Sequence, residues 1–195
     1  MKTDTRQRLI DTFYDDMYTY GYQGVVLDDV LAKAKVHKGS MYHFFKSKKE
    51  LALAAIKETS AYRLENIYLA SLPDTPPYLP SWFAKLHDTS IRDFKRGCPV
   101  ANIIQEMSNI DDDFNTTMAK VYDNTRQAFK KVYDMAVSSG ELRECDTAKL
   151  GHMTLAVIEG AILSVKASAN EADFSEAIDM LEEYILSFHT SAIRE

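Results

Sequence analysis

Val36-His37-Lys38-Gly39-Ser40-Met41-Tyr42-His43-Phe44-Phe45-Lys46-Ser47-Lys48-Lys49-Glu50-Leu51 begins with the pattern of a short helix and closes with the start of a long one. Across Lys38 to Phe44, Met41 and Phe44 fall one turn apart on one side. Lys38, Gly39, Ser40, Tyr42 and His43 are left to face outward. Ser47 and Glu50 stand in capping-box spacing, where a hydroxyl and a carboxylate satisfy the free amides of a helix start. Upstream, Asp28 to Ala34 predicts a second short helix, with about three residues between the two. Packing Val30, Ala34, Val36, Met41 and Phe44 together closes the pair into a hairpin. That geometry seats a second helix in the DNA major groove, because a helix fits the groove and its early residues reach base edges. An amphipathic hairpin with another purpose shows the same pattern, so spacing alone leaves both readings open.

Outward from this stretch the helical period continues and no alternating strand run interrupts it. A first helix is expected from about Thr5 to Tyr20, striped by Leu9, Phe13 and Met17, with Gly21 where a left-handed cap belongs. The helix begun at Ser47 continues to about Ala70. Residues 71–80 hold four of the five prolines and form an elbow. Helices are expected again from Ser81 to Lys95, from Pro99 to near Asp111-Asp112-Asp113, and from Phe114 to Ser139, where Gly140 closes the last. Residues 147–168, carrying Gly160 and Ser164 one turn apart, and 174–192, striped by Phe174, Ile178, Leu181, Ile185 and Phe188, form the final pair. That pair packs either within the monomer or as half of a four-helix interface between two copies. The expected fold is all-α, with a three-helix helix-turn-helix head over 1–50 and a helical ligand-binding and dimerisation domain over 51–195.

Composition narrows the function. The chain has 195 residues, enough to bury a core without disulfide or metal staples. Its net charge of -6 argues against coating nucleic acid indiscriminately. The charge is uneven, however: residues 1–50 carry nine basic and seven acidic side chains, the rest fourteen and twenty-two. Lys33, Lys35, Lys38, Lys46, Lys48 and Lys49 follow one another with no carboxylate between them. Cys98 and Cys145 form no metal or CxxC pattern, no apolar signal segment opens the chain, and no apolar run approaches a membrane span, so a reducing cytoplasm is expected. No GxSxG elbow, phosphate loop or HExxH is present, and the five histidines are scattered. No catalytic site, metal or cofactor is expected. A helical protein-interaction module without DNA binding is the rival reading, and it leaves the lysine-rich hairpin without a purpose.

Gly21-Tyr22, Leu27-Asp28-Asp29-Val30 and the stretch from Val36 to Leu51 resemble the head of the TetR (tetracycline repressor) family over about residues 5–51. The resemblance implies a dimeric repressor, occasionally an activator, that binds a palindromic double-stranded operator and is released by a small molecule or electrophile in its C-terminal domain. It puts Lys38 and Ser40 on outward positions of the recognition helix and Tyr42 and His43 on positions that touch backbone or bases. Lys48 falls at the phosphate-binding start of the next helix. The departures are specific. Val25 and Val26 replace a usual hydroxyl pair and Leu31 a usual Ala. Lys35 stands for Gly, in a conformation glycine finds easier, and His37 stands for a capping Ser. Lys35 and His37 therefore join the expected DNA contacts, with operator preference altered accordingly.

Beyond residue 51 the resemblance is one of architecture. Trp82, Tyr122, Phe129 and Met153 are candidates to line an apolar effector cavity, with Asn102, Gln105 or Glu159 adding polar contacts. Ordinary core is the alternative for each. Glu159 stands out, since a carboxylate within the apolar stretch from Met153 to Val165 needs a partner or a reason. Arg96-Gly97-Cys98-Pro99-Val100-Ala101-Asn102 resembles a segment of a subset of these regulators, some of which answer electrophiles or oxidants. A helix start and the cations Lys95 and Arg96 would favour the reactive thiolate of Cys98. A turn-shaping Gly-Cys-Pro with a small buried thiol is the alternative.

Overall fold

The Asp4 carboxylate accepts the amide of Arg6 and starts α1 (Thr5–Gly24). The computed structural model describes residues 4–190, and among them nine α-helices and no strand, only one isolated bridge between Leu142 and His189. The chain packs as two units, residues 1–62 with 99–121, and residues 63–98 with 122–195.

In the first unit α1 breaks at Gly21, whose φ of 73° and ψ of 166° suit glycine alone, and one further turn follows. Leu9, Ile10, Phe13 and Met17 of α1 are buried against α2 (Leu27–Ala34), α3 (Lys38–Phe44) and α4 (Lys48–Arg63). Ile103 and Met107 of α6 (Pro99–Met107) and Phe114 and Met118 of the following helix complete this core. Phe44 is 40% exposed, contrary to the sequence expectation, and Phe45 is buried in its place. The backbone leaves the helix at Phe45 (φ −139°, ψ 124°), which turns the second phenylalanine inward.

The helical backbone after Arg63 continues through one widened turn, Leu64–Tyr68, and one tightened turn, Leu69–Ser71, so the long helix ends where its pattern predicts but not as regular α-helix. In the second unit α5 (Leu79–His87) carries Pro80 in its first turn. It does not reach Lys95: the Asp88 side chain accepts the Ser90 amide at 3.1 Å and starts a separate short turn, Thr89–Ile91. α7 (Asp112–Ser138) ends before Gly140, which has φ 79°. α8 (Thr147–Ser168) is capped by Asp146, and α9 (Ala172–Leu186) is shorter than its stripe suggests, the expected residues 191 and 192 lying outside the described ones. A Cβ on Gly151 would sit 2.7 Å from the Lys130 backbone nitrogen, so this glycine sets how closely α8 approaches the later turns of α7.

α8 is long and apolar enough to cross a membrane by length and mean composition, although, as expected, its apolar run is broken well short of a span. Its charged residues are Lys149, Glu159 and Lys166, widely spaced. Leu150, Thr154, Leu155, Ile158, Ala161, Ile162 and Val165 nevertheless form its buried stripe, which packs with Phe174, Ile178, Leu181 and Ile185 of α9. That is the seam of a protein core.

Candidate nucleic-acid interface and sensing site

Lys35 makes the turn between α2 and α3 in the left-handed region (φ 55°, ψ 47°), the strained conformation its position predicts. The turn is held by Lys35 N–H to Ala32 O at 3.2 Å and Val36 N–H to Leu31 O at 3.0 Å. His37 occupies the cap position of α3, exposed, and its side chain accepts nothing from the helix start. Lys38, Gly39, Tyr42 and His43 are exposed and Ser40 is half-buried, so α3 presents its outward face as expected. Tyr42 is 50% exposed.

The lysine cluster divides by partner. Lys33 is spent on the buried Asp16, 2.6 Å away. Lys49 bridges Asp111 and Asp113 at 3.0 and 2.5 Å, and those hydrogen bonds push its pKa up to about 12. Lys38 meets Asp28 at 3.4 Å in full solvent, a weak pair that a phosphate can displace. Lys48 lies at the start of α4 with Nζ 4.6 Å from the Tyr22 ring centre, and burial lowers its pKa. The capping box forms with one change: Ser47 accepts the Glu50 amide at 3.0 Å, while the Glu50 carboxylate takes the Lys46 amide at 2.7 Å.

Sequence reasoning missed Glu106. From α6 its carboxylate takes the amides of Tyr22 and Gln23, each at 2.8 Å, and so caps the turn beyond the break in α1. A Cβ at Gly21 would lie 2.7 Å from the same carboxylate, so a side chain there would have to displace Glu106, besides adopting the φ that favours glycine. The two partners are 84 residues apart, beyond the reach of any local pattern.

In the second unit Trp82 is fully buried, and its indole N–H donates to the Tyr133 hydroxyl at 3.0 Å. That hydroxyl meets Thr154 Oγ1 at 2.7 Å, and Thr154 donates to the Leu150 carbonyl at 2.8 Å. The chain of bonds is complete, and burial pushes the Tyr133 phenol up to about 12. Phe129 is buried edge-on against Trp82, 5.1 Å between centroids, with Tyr68 on it at 5.9 Å. Glu159 is half-buried, its Oε2 is enclosed without a hydrogen-bond partner, and the Cys98 thiol donates to its carboxylate. Burial raises the Glu159 pKa, and the Tyr122 phenol beside Glu159, Cys98 and Arg126 is raised as well, first by burial. Cys98 thus sits on an acid group, not only among the cations its sequence neighbours suggest: Arg96 is held by Asp93 at 2.7 Å. Cys145 is half-buried in the loop before α8, its thiol raised by burial, and neither cysteine is in a disulfide.

Met153 belongs elsewhere, lining an open groove of about 400 Å³ between α8 and α9 with Val157, Gly160, Ser164, Met180 and Tyr184. Asn102 and Gln105 are on α6 in the first unit, the former half-buried and the latter exposed. The structure therefore gathers Cys98, Tyr122 and Glu159 and puts Trp82 and Phe129 in the adjoining core. No group of three or more metal-ligating side chains lies together among the described residues.

Residues 17–55 match the profile of the bacterial regulatory proteins of the tetR family, and residues 79–181 match the tetracyclin repressor-like C-terminal domain. The chain belongs to the tetR family. It is a transcriptional regulator with a helix-turn-helix head. Among curated tetR-type relatives, the transcriptional regulator AcuR of Cereibacter sphaeroides is 30% identical over 165 residues, 82% of this chain and 75% of that one. The HTH-type transcriptional repressor DhaR of a Mycobacterium is 27% identical over 191 residues, covering 95% of this chain and 94% of the relative. The reduced form of E. coli NemR superposes with a TM-score of 0.82 at 22% identity, over 92% of this chain and 96% of that one, a likeness of fold. In this head Lys35 makes the left-handed turn and His37 stands at the cap position of α3.

Proposed function

We infer that the protein is a repressor that binds a palindromic DNA operator as a homodimer and is released by a small molecule or electrophile held in residues 51–195. The observation that carries the reading is the α2–α3 hairpin, which leaves Lys38, Tyr42 and His43 exposed on α3 between two positions, Lys35 and Lys48, that carry positive charge. Lys35, Lys38 and Lys48 supply phosphate affinity, and His37 meets a phosphate where the uncapped amides of α3 begin. Ser40, Tyr42 and His43 face the bases or the backbone beside them. The effector site is the cluster of Cys98, Tyr122 and Glu159 beside Phe129, where a carboxylate oxygen stands buried without a partner. Trp82 supports it from the core. Cys98 is the nucleophile an electrophile would meet. The dimer is supported by α8 and α9, on which Leu163, Met180 and Tyr184 are 58%, 65% and 50% exposed. The same reading places the regulator in the cytoplasm, with its operator.

Fluorescence anisotropy on DNA from upstream of its own gene tests this. Tight binding that weakens with salt and exceeds binding to a scrambled duplex is the expected result. Equal affinity for both duplexes would remove the repressor. Brief treatment with a mild thiol oxidant separates the two kinds of effector: release in the wild type but not in Cys98→Ser assigns the switch to the thiol, and unchanged binding assigns it to a reversible ligand.

A further inference from the structure

Arg92, just beyond the short turn Thr89–Ile91, has a guanidinium that is half used. It lies over the Phe174 ring, 4.5 Å from the centroid, and its Nη1 donates to the Asp88 backbone carbonyl. Nε and Nη2 are both buried and have no hydrogen-bond partner. These two N–H groups share one edge of the planar guanidinium, parallel and spaced to match the two oxygens of a carboxylate. Acids near in sequence do not fill that edge. Asp88 receives Lys85 at 2.8 Å and Ser90, and Asp93 receives Arg96 at 2.7 Å. Arg63, the neighbouring cation, has its Nη2 on the Ile91 carbonyl at 2.8 Å. A guanidinium does not discharge itself to escape burial, so the edge stays cationic while it is enclosed. Buried donors are almost always paired, and a pair of them on one edge asks for a particular partner.

We propose that Arg92 anchors the effector and that the effector is a small organic carboxylic acid, its carboxylate accepting two parallel hydrogen bonds from Nε and Nη2. The hydrocarbon part lies against the surrounding aromatic side chains, with Phe174 beneath the guanidinium and Tyr68 nearby. One unpaired edge holds one monoanion. A phosphate dianion would ask for a further donor set, and the neighbouring Arg63 already has its Nη2 on the Ile91 carbonyl. The proposal rests on reading the second unit as the sensing one and supplies the class of ligand that this reading leaves open.

The test uses the full chain without DNA, titrated with butyrate and benzoate, with butyramide and benzamide as uncharged isosteres, and with inorganic phosphate, by calorimetry and thermal shift. The acids should bind and raise the melting temperature while the amides and phosphate do not. Arg92→Lys keeps a charge but not the two-toothed edge and should weaken acid binding about tenfold or more, the loss of one charge-assisted hydrogen bond. Equal binding of acid and amide, preference for phosphate, unchanged acid affinity in Arg92→Lys, or no binding of either acid would each overturn it. The acid–amide comparison is made on the wild type, so it stands even if a variant misfolds. Operator binding is measured in parallel: salt-sensitive binding with no acid recognition removes the carboxylate and leaves the repressor, and acid binding without operator recognition does the reverse.

Discussion

Glu159 shows what one buried side chain imposes. Burial raises its pKa, so the folded protein favours the protonated acid. Its contribution to stability is complete below the ordinary carboxyl value of 4.5 and is lost as pH rises through the folded value. Glu159→Gln should therefore melt above the wild type at pH 7.5, with the gap closing towards pH 4. A gap of constant size in differential scanning calorimetry would show that ionisation at this site costs nothing. Glu106 acts in the opposite sense, as an acceptor the head needs. Glu106→Ala strips the acceptor from the Tyr22 and Gln23 amides and should cost about 1–2 kcal/mol. Operator affinity should fall with it, because the turn it caps leads into α2. A variant that melts and binds like the wild type would assign those amides to solvent.

At the scale of elements the turn before α3 combines two conflicting demands. Lys35 holds a left-handed conformation that glycine takes without strain, and His37 fails to cap α3. Lys35→Gly should stabilise the protein by about 1 kcal/mol, yet lower the salt dependence of operator binding by about one phosphate contact. His37→Ser should add about 1 kcal/mol of stability through a restored cap, with no change in the salt slope unless His37 reaches a phosphate. Stability gained together with operator affinity at Lys35→Gly would show that the lysine does not face DNA. Both features were legible in the sequence because they depend on residues within a few positions of each other. The bounds of α8 were legible too, since helical periodicity over 147–168 is itself a local signal. The exchange of Phe44 for Phe45 was not, since periodicity follows a helix past the point where its backbone turns extended. Nor was the stop of α5 at Asp88, where a side chain that reads as an ordinary helix-surface acid takes the Ser90 amide instead. Glu159 shows the same limit at the candidate site: a carboxylate on an apolar stretch can be noticed, but which of its atoms lacks a partner depends on chain folded from far away, and Arg92, in a stretch of polar and charged residues, carries no such mark at all.

At the scale of the whole molecule, the proposed dimer rests on the outer faces of α8 and α9. Leu163, Met180 and Tyr184 are exposed on the monomer, at or beside a groove lined by Gly160 and Ala161. A two-fold interface uses this surface twice, so each substitution is felt twice. Leu163→Glu combined with Met180→Glu would place four carboxylates in an apolar seam, each desolvated at a cost of several kcal/mol. Neither side chain belongs to the monomer core, so the helical circular dichroism should stay as it is. Sedimentation velocity should find the wild type as a dimer and the double variant as a monomer. Affinity for a palindromic operator should collapse towards that for a half-site, since two heads then bind without being joined. A double variant that still sediments as a dimer would move the interface off this face, and with it the account of how two heads are held to one operator.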